Sequence, residues 1–371
     1  MHTTRTQTLA KGFTLTELLV VISIIVLLVA IAVPAFSTIL YNNERAQAEN
    51  QLRVGISSAR DAAIASDGGD AAAVFIFRPG DRLLIIPAVM VGTIEDQVIV
   101  NGAPVGGTTT RTRDVFVPVA TGEPIALPRG WSIRGFAPPG AIDAGTGIAN
   151  GWYDALLSQP TGSETRGNWL FPESGYYDGS RANDGWKRQT FIVRFEARTG
   201  SLSVGSKNDC LIVDPVPNQA FRTAAPFSAN RLDEASDQVQ FVKRVISPAN
   251  PLTPAQRQAL LGDRSLDTIL ARPVTEIALV DERRMAAGLK AGGLNRATGS
   301  VYGVPGSGRD IPTEPRLDTD LFPATPDPAA ISLAISQWIE GRLPDGPDFV
   351  ASDARIFTMQ RYLGQLKEVT P

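Results

Sequence analysis

The chain has one histidine, His2, and one cysteine, Cys210. A lone imidazole excludes multi-histidine metal sites, and a lone thiol excludes both an intramolecular disulfide and a thiolate zinc site. His2 also lies in a short polar segment, Met1 to Gly12, that is expected to be removed. The remaining chain then has no imidazole for a His-based triad or general base. Cys210 stands in Asp209-Cys210-Leu211-Ile212-Val213 and reads as a small apolar core residue, with a reactive thiol as the alternative. Long basic runs are missing too. With 35 basic and 38 acidic residues, nothing in the chain tracks a phosphate backbone, and no nucleic-acid partner is expected.

Charge is nearly absent from one stretch. Phe13 to Phe36 spans 24 residues and holds a single ionisable one, Glu17. As a helix it would reach about 36 Å, enough to cross a hydrocarbon core of about 30 Å. Arg5 and Lys11 precede it and fix that end in the cytoplasm, which puts the rest of the chain outside. An ordinary secretory signal would be cut at small residues after the apolar run. Here the run passes through Pro34 into an Ala-rich polar continuation, so processing ahead of it, at Gly12-Phe13, leaves the helix on the mature chain.

Glu17 needs an explanation, because a carboxylate in a membrane helix is costly and such groups usually have partners. Cleavage after Gly12 would give Phe13 a free amine, and Glu17 of one subunit can pair with that amine on a neighbour. The competing account is a Glu near the helix start that reaches the interface and favours the helix dipole.

Lys11-Gly12-Phe13-Thr14-Leu15-Thr16-Glu17-Leu18-Leu19-Val20-Val21 is similar to the cleavage and methylation motif of type IV prepilins and pseudopilins. The resemblance implies that a membrane prepilin peptidase cuts after Gly12 and methylates Phe13. It implies that Glu17 aids subunit docking and that Pro34 is the helix-kinking proline often found in such spines. It covers some 25 residues and leaves the type of filament open.

Asn42 to Asp67 continues the helix, with Ala48, Leu52, Ile56, Ala59 and Ala63 forming a stripe fit to dock a sheet. Gly55 is its interior weak point, and Gly68-Gly69 ends it. Ala71 to Phe77 and Leu83 to Val89 flank Pro79-Gly80-Asp81 as a hairpin. This helix end and first strand resemble the H-type minor pseudopilins. Thr190 to Phe195 turns at Arg198-Thr199-Gly200-Ser201 into Leu202 to Val204 as a closing hairpin. Between them, Val98 to Val100, Asp114 to Val119 and Trp131 to Phe136 are candidate strands in a Gly- and Pro-rich region, with Trp152, Trp169 and Trp186 as packing anchors. Beyond Pro215, Val274 to Val280 reads as a strand and Asp281 to Leu289 as a helix. Two helices are expected to close the chain. The first runs from Asp327 to Arg342, with Pro328 at its first position. The second covers about 352–367, with Ile356, Met359, Tyr362, Leu363 and Leu366 on one face.

Three near-motifs fail. Gly200 to Lys207 departs from a P-loop at Ser206 and lies in a hairpin. Gly306-Ser307-Gly308 has Pro305 where a nucleophile elbow needs glycine. Asp178 to Gly185 lacks the ligand spacing of an EF-hand, although some major pseudopilins bind calcium in a loop.

The expected fold is α+β. A long N-terminal helix, membrane-spanning in its first half, packs on an antiparallel β-sheet with enlarged loops, followed by a mixed α/β elaboration. The expected segments are a leader (1–12), a spine helix (13–67), a β-rich domain (68–214) and a C-terminal elaboration ending in two helices (215–371). The expected function is that of a structural subunit, a minor one given its size, of a type IV pilus or a type II secretion pseudopilus. No enzyme activity, cofactor or metal is expected. The expected partners are prepilin peptidase, other pilin or pseudopilin subunits, an inner-membrane assembly platform and, before assembly, membrane lipid. A pilin-anchored adhesin and a membrane-tethered envelope enzyme are the alternatives.

Overall fold

The computed structural model describes residues 14–77, 82–97, 99–100, 103–104, 110–119, 122–138, 167–172, 190–204, 210–213, 235–261, 268–289, 294–298, 312–317, 328–342 and 350–369. Residues 1–47 and 48–371 form two compact units.

The chain opens with α1 (Leu15–Ala65), a single helix of 51 residues. There follow β1 (Ala71–Phe77), β2 (Leu83–Gln97), β3 (Ile99–Val100), β4 (Ala103–Pro104), β5 (Thr110–Pro118), β6 (Ile125–Ala126), β7 (Trp131–Ala137), β8 (Asn168–Leu170), β9 (Thr190–Phe195) and β10 (Cys210–Val213). Two helices come next, α2 (Ala235–Ile246) and α3 (Pro254–Leu261), then β11 (Thr268–Pro273), β12 (Glu276–Asp281) and α4 (Glu282–Gly288). The last elements are β13 (Leu294–Thr298), β14 (Pro312–Leu317), α5 (Pro328–Ile339), β15 (Arg355–Met359) and β16 (Leu366–Val369).

Six strands close into a barrel in the order β1-β9-β11-β10-β5-β2, because β2 pairs back with β1. The pairs β5–β10 and β9–β11 run parallel and the other four antiparallel. The expected purely antiparallel sheet is therefore corrected to a mixed barrel. Parallel neighbours need long crossover connections, which a hairpin-by-hairpin reading cannot foresee. The expected hairpin is present, with Phe77 opposite Leu83. β1 is buried at all seven positions because both of its faces are covered. Ala72, Val74 and Ile76 point into the barrel with Ile86, Phe116, Ile192, Cys210, Ile212 and Ile269. Phe75 and Phe77 point outward to Phe191 and Phe171, with ring centroids 5.0 and 4.9 Å apart.

A second, five-stranded sheet, β16-β15-β12-β7-β8, is antiparallel throughout. One face meets α4 and α5 through Ala278, Val280, Met285, Ile335, Trp338 and Ile356. The other faces the barrel: a Cβ on Gly135 of β7 would lie 2.6 Å from the Phe191 ring, so glycine permits the close approach. On the barrel's opposite flank, α2 and α3 cover Ile94, Val115, Val117, Leu211, Val213 and Leu270.

The stripe Ala48, Leu52, Ile56, Ala59 and Ala63 is buried, as its spacing requires. In this half α1 touches β15 through a Glu49–Arg355 ion pair at 2.6 Å and through Arg53 stacked over Phe357 at 5.6 Å. Gly55, expected as a weak point by helix propensity, stands where its missing side chain lets Ile85 of β2 approach, since a Cβ would lie 2.6 Å from Ile85 Cγ2.

Two further corrections concern the C-terminal third. Residues 352–367 do not form a helix. They form the β15–β16 hairpin, with Gly364 at φ 57° in the turn. The expected boundary at 214/215 does not divide the sheets either. β11 lies in the barrel between β9 and β10, and β12 pairs with β7. The strand at 276–281, the helix capped by Asp281 and the helix beginning at Pro328 are where they were expected. Val98, Trp152, Trp186, the 178–185 loop, residues 205–207 and residues 305–308 lie outside the described residues.

Candidate functional site

α1 is long and apolar enough to cross a membrane by length and composition. Its large apolar side chains from Leu15 to Phe36 are 47% to 80% exposed. A helix can cross a hydrocarbon core because its backbone polar groups, away from its ends and from Pro34, are bonded internally. Ser23 fits this setting by donating its hydroxyl to Leu19 O at 2.9 Å, inside the helix. Pro34 lies in the interior of α1.

Glu17 sits in the first turn, held by the residue before the helix. Thr14 N and Thr14 Oγ1 both donate to Glu17 Oε2 at 2.8 Å, and Glu17 N donates to Thr14 Oγ1 at 3.3 Å. This reciprocal Thr-x-x-Glu arrangement is a capping box. Thr14 O also accepts the first helical bond, from Leu18 N at 3.1 Å. Thr14 is thus the N-cap of α1, a role that sequence reasoning passed over although Thr14 followed three residues later by Glu17 is its legible signal. Both Thr14 contacts use the same carboxylate oxygen. Oε1 has no bond among the described residues, and the next charged residue along the helix is Glu44. Gly12 and Phe13 lie outside the described residues.

A second charged cluster lies inside the barrel. Arg194 of β9 is buried, donates through Nε to Asp70 at 2.7 Å, and is ion-paired with buried Asp114 of β5. Its guanidinium stacks over Phe116 at 5.4 Å and reaches Met90 Sδ at 3.5 Å. Cys210, opposite Asp114 in the register, is buried beside it. Burial pushes the Arg194 pKa down, but its hydrogen bonds to Asp114 and Asp70 outweigh this and hold the value above the ordinary one. Arg194 is therefore a fixed cation and no proton donor. Among the described residues, no three His, Cys, Asp or Glu side chains are grouped to hold a metal ion.

Comparison with known proteins finds no matching family model, no matching curated protein and no matching solved structure.

Proposed function

We propose that the chain is a structural subunit of a type IV pilus or a type II secretion pseudopilus, cut at Gly12-Phe13 by a prepilin peptidase and methylated at Phe13. Glu17 carries this reading. It is the only charge on the apolar half of α1, and one of its oxygens is committed to Thr14 while the other is open to a cation. Cleavage would supply that cation as the Phe13 amine of a neighbouring subunit. The spine would wait in the cytoplasmic membrane, surrounded by lipid, with the β-rich domain outside. An assembly platform would then move it into a filament, whose head-to-tail contacts give an open assembly. The large body after residue 47 fits a minor subunit better than the bulk one. The role is one of assembly, with no catalysis assigned to any residue.

The test is the mass of the mature N-terminus. The chain expressed with a prepilin peptidase should begin at N-methylated Phe13, and Gly12→Val should keep all twelve leader residues. Mature-size protein from a host lacking the peptidase would overturn the reading.

A further inference from the structure

The segment joining α1 to β1 is held largely by one remote stretch of chain, residues 194–198, together with Met90 of β2. Arg198 N donates to Ala63 O at 2.9 Å and closes the last turn of α1, while Arg198 Nη2 donates to Asp67 O at 3.3 Å. Arg198 is the one non-glycine residue with a positive φ, 66°, among the described residues. Such a conformation persists only where its surroundings impose it. Ala197 N donates to Asp70 Oδ1 at 3.1 Å, and Asp70 O accepts from Met90 N at 2.8 Å. The other carboxylate oxygen, Asp70 Oδ2, takes the Arg194 Nε bond, and the same guanidinium extends inward to Asp114.

Asp70 therefore stands with one oxygen on the turn that caps α1 and the other on the charge pair inside the barrel. We propose that Asp70 is a mechanical latch, tying the C-terminal end of α1 to the buried Arg194–Asp114 pair so that load carried along the helix reaches the barrel interior. The link between α1 and β1 is only residues 66–70. The buried stripe of α1 already packs on the body, and the latch adds a polar tie at the helix end itself. With the latch, helix end, link and two barrel strands move together. The load-bearing purpose rests on the assembly reading above. The latch itself rests only on contacts within residues 48–371.

A latch and an ordinary buried ion pair make different predictions. The double variant Asp114→Leu/Arg194→Met replaces the pair by apolar side chains that keep the barrel filled, an exchange that often leaves stability intact. Asp70 is retained but loses its guanidinium. Hydrogen exchange on the full chain in detergent should then show the amides of residues 60–70 exchanging roughly tenfold faster, as expected for the loss of one charged hydrogen bond. Amides of β10 and β11 should keep rates near those of the unaltered protein. Unchanged rates at 60–70, or a rise shared equally by the barrel, would overturn the latch. Should the double variant not fold, Asp70→Asn gives the same readout. It keeps an acceptor for Ala197 N and removes the charge facing Arg194, and a uniform rise would again count against the proposal. Neither measurement depends on cleavage at Gly12, so failure of the latch and failure of the pilin reading are separable.

Discussion

At Glu17 the two accounts of one carboxylate separate by substitution. Glutamine satisfies the third helical position of a capping box as glutamate does, so Glu17→Gln keeps the Thr14 contacts and removes only the charge. If pairing with a neighbour's amine is its role, Glu17→Gln and Glu17→Ala should both abolish incorporation into filaments, scored by shearing and immunoblot. Incorporation of the glutamine variant at normal levels would assign Glu17 to helix capping alone. Gly55 makes a second prediction. Alanine is the better helix former by about 1 kcal/mol, yet its Cβ would stand 2.6 Å from Ile85 Cγ2. Overpacking of this kind costs about 1–3 kcal/mol. Gly55→Ala should therefore lower the melting temperature, and adding Ile85→Ala should relieve the clash. Asp353 gives a pH dependence. Burial raises its carboxyl pKa above the ordinary value, outweighing the opposing bond to its own backbone, even with Arg284 Nη1 at 3.3 Å. A carboxyl raised in the folded state contributes stability that is fully present below its unfolded pKa and lost as pH rises through its folded one. Asp353→Asn should thus be more stable than the unaltered protein at neutral pH, with the difference shrinking in urea titrations toward pH 3.8, the ordinary value.

Among the elements, the β15–β16 hairpin shows where periodicity misleads. Ile356, Met359, Leu363 and Leu366 recur at helical spacing, yet Phe357 lies off that stripe and is fully buried, while Tyr362 lies on it and is 82% exposed. The turn at Gly364 and the pairing with β12 decide the outcome, and neither is a local property. Phe357→Ala should cost about 3–5 kcal/mol and Tyr362→Ala no more than about 0.5 kcal/mol, both read from denaturant melts. A helix over these residues would reverse the order. By contrast α1, β1, β7, β12 and α5 were legible, because each carries its own stop signals and enough apolar length to declare its type, whereas β2 was legible only at its start and runs on from Val89 to Gln97. α2 carried a readable signal as well, with Val239, Val242 and Ile246 on one face, but only the barrel strands beneath it give that face a partner. At the candidate site, the helix was readable from its apolar run and Glu17 as the one charge within it, while the role expected of Glu17 came from the motif resemblance. The Arg194–Asp114–Asp70 cluster was not, since its members lie 80 and 124 residues apart and meet only through closure of the barrel.

For the molecule as a whole, the interleaving of strands matters more than any boundary in sequence. A chain ending at residue 214 would lack β11, leaving a gap between β9 and β10, and would lack β12, the partner of β7. It should show no cooperative thermal transition by circular dichroism and should be cut by trypsin throughout the region after residue 67. A cooperative melt from that fragment would restore the expected division. Contacts of such long sequence separation also slow folding. The barrel's ring has an order of completion. Its first strand is made soon after α1, yet the ring cannot close until Pro273 has been synthesised, and the second sheet waits for Val369. The closed ring and the second sheet thus belong to the chain only once most of its length has been made.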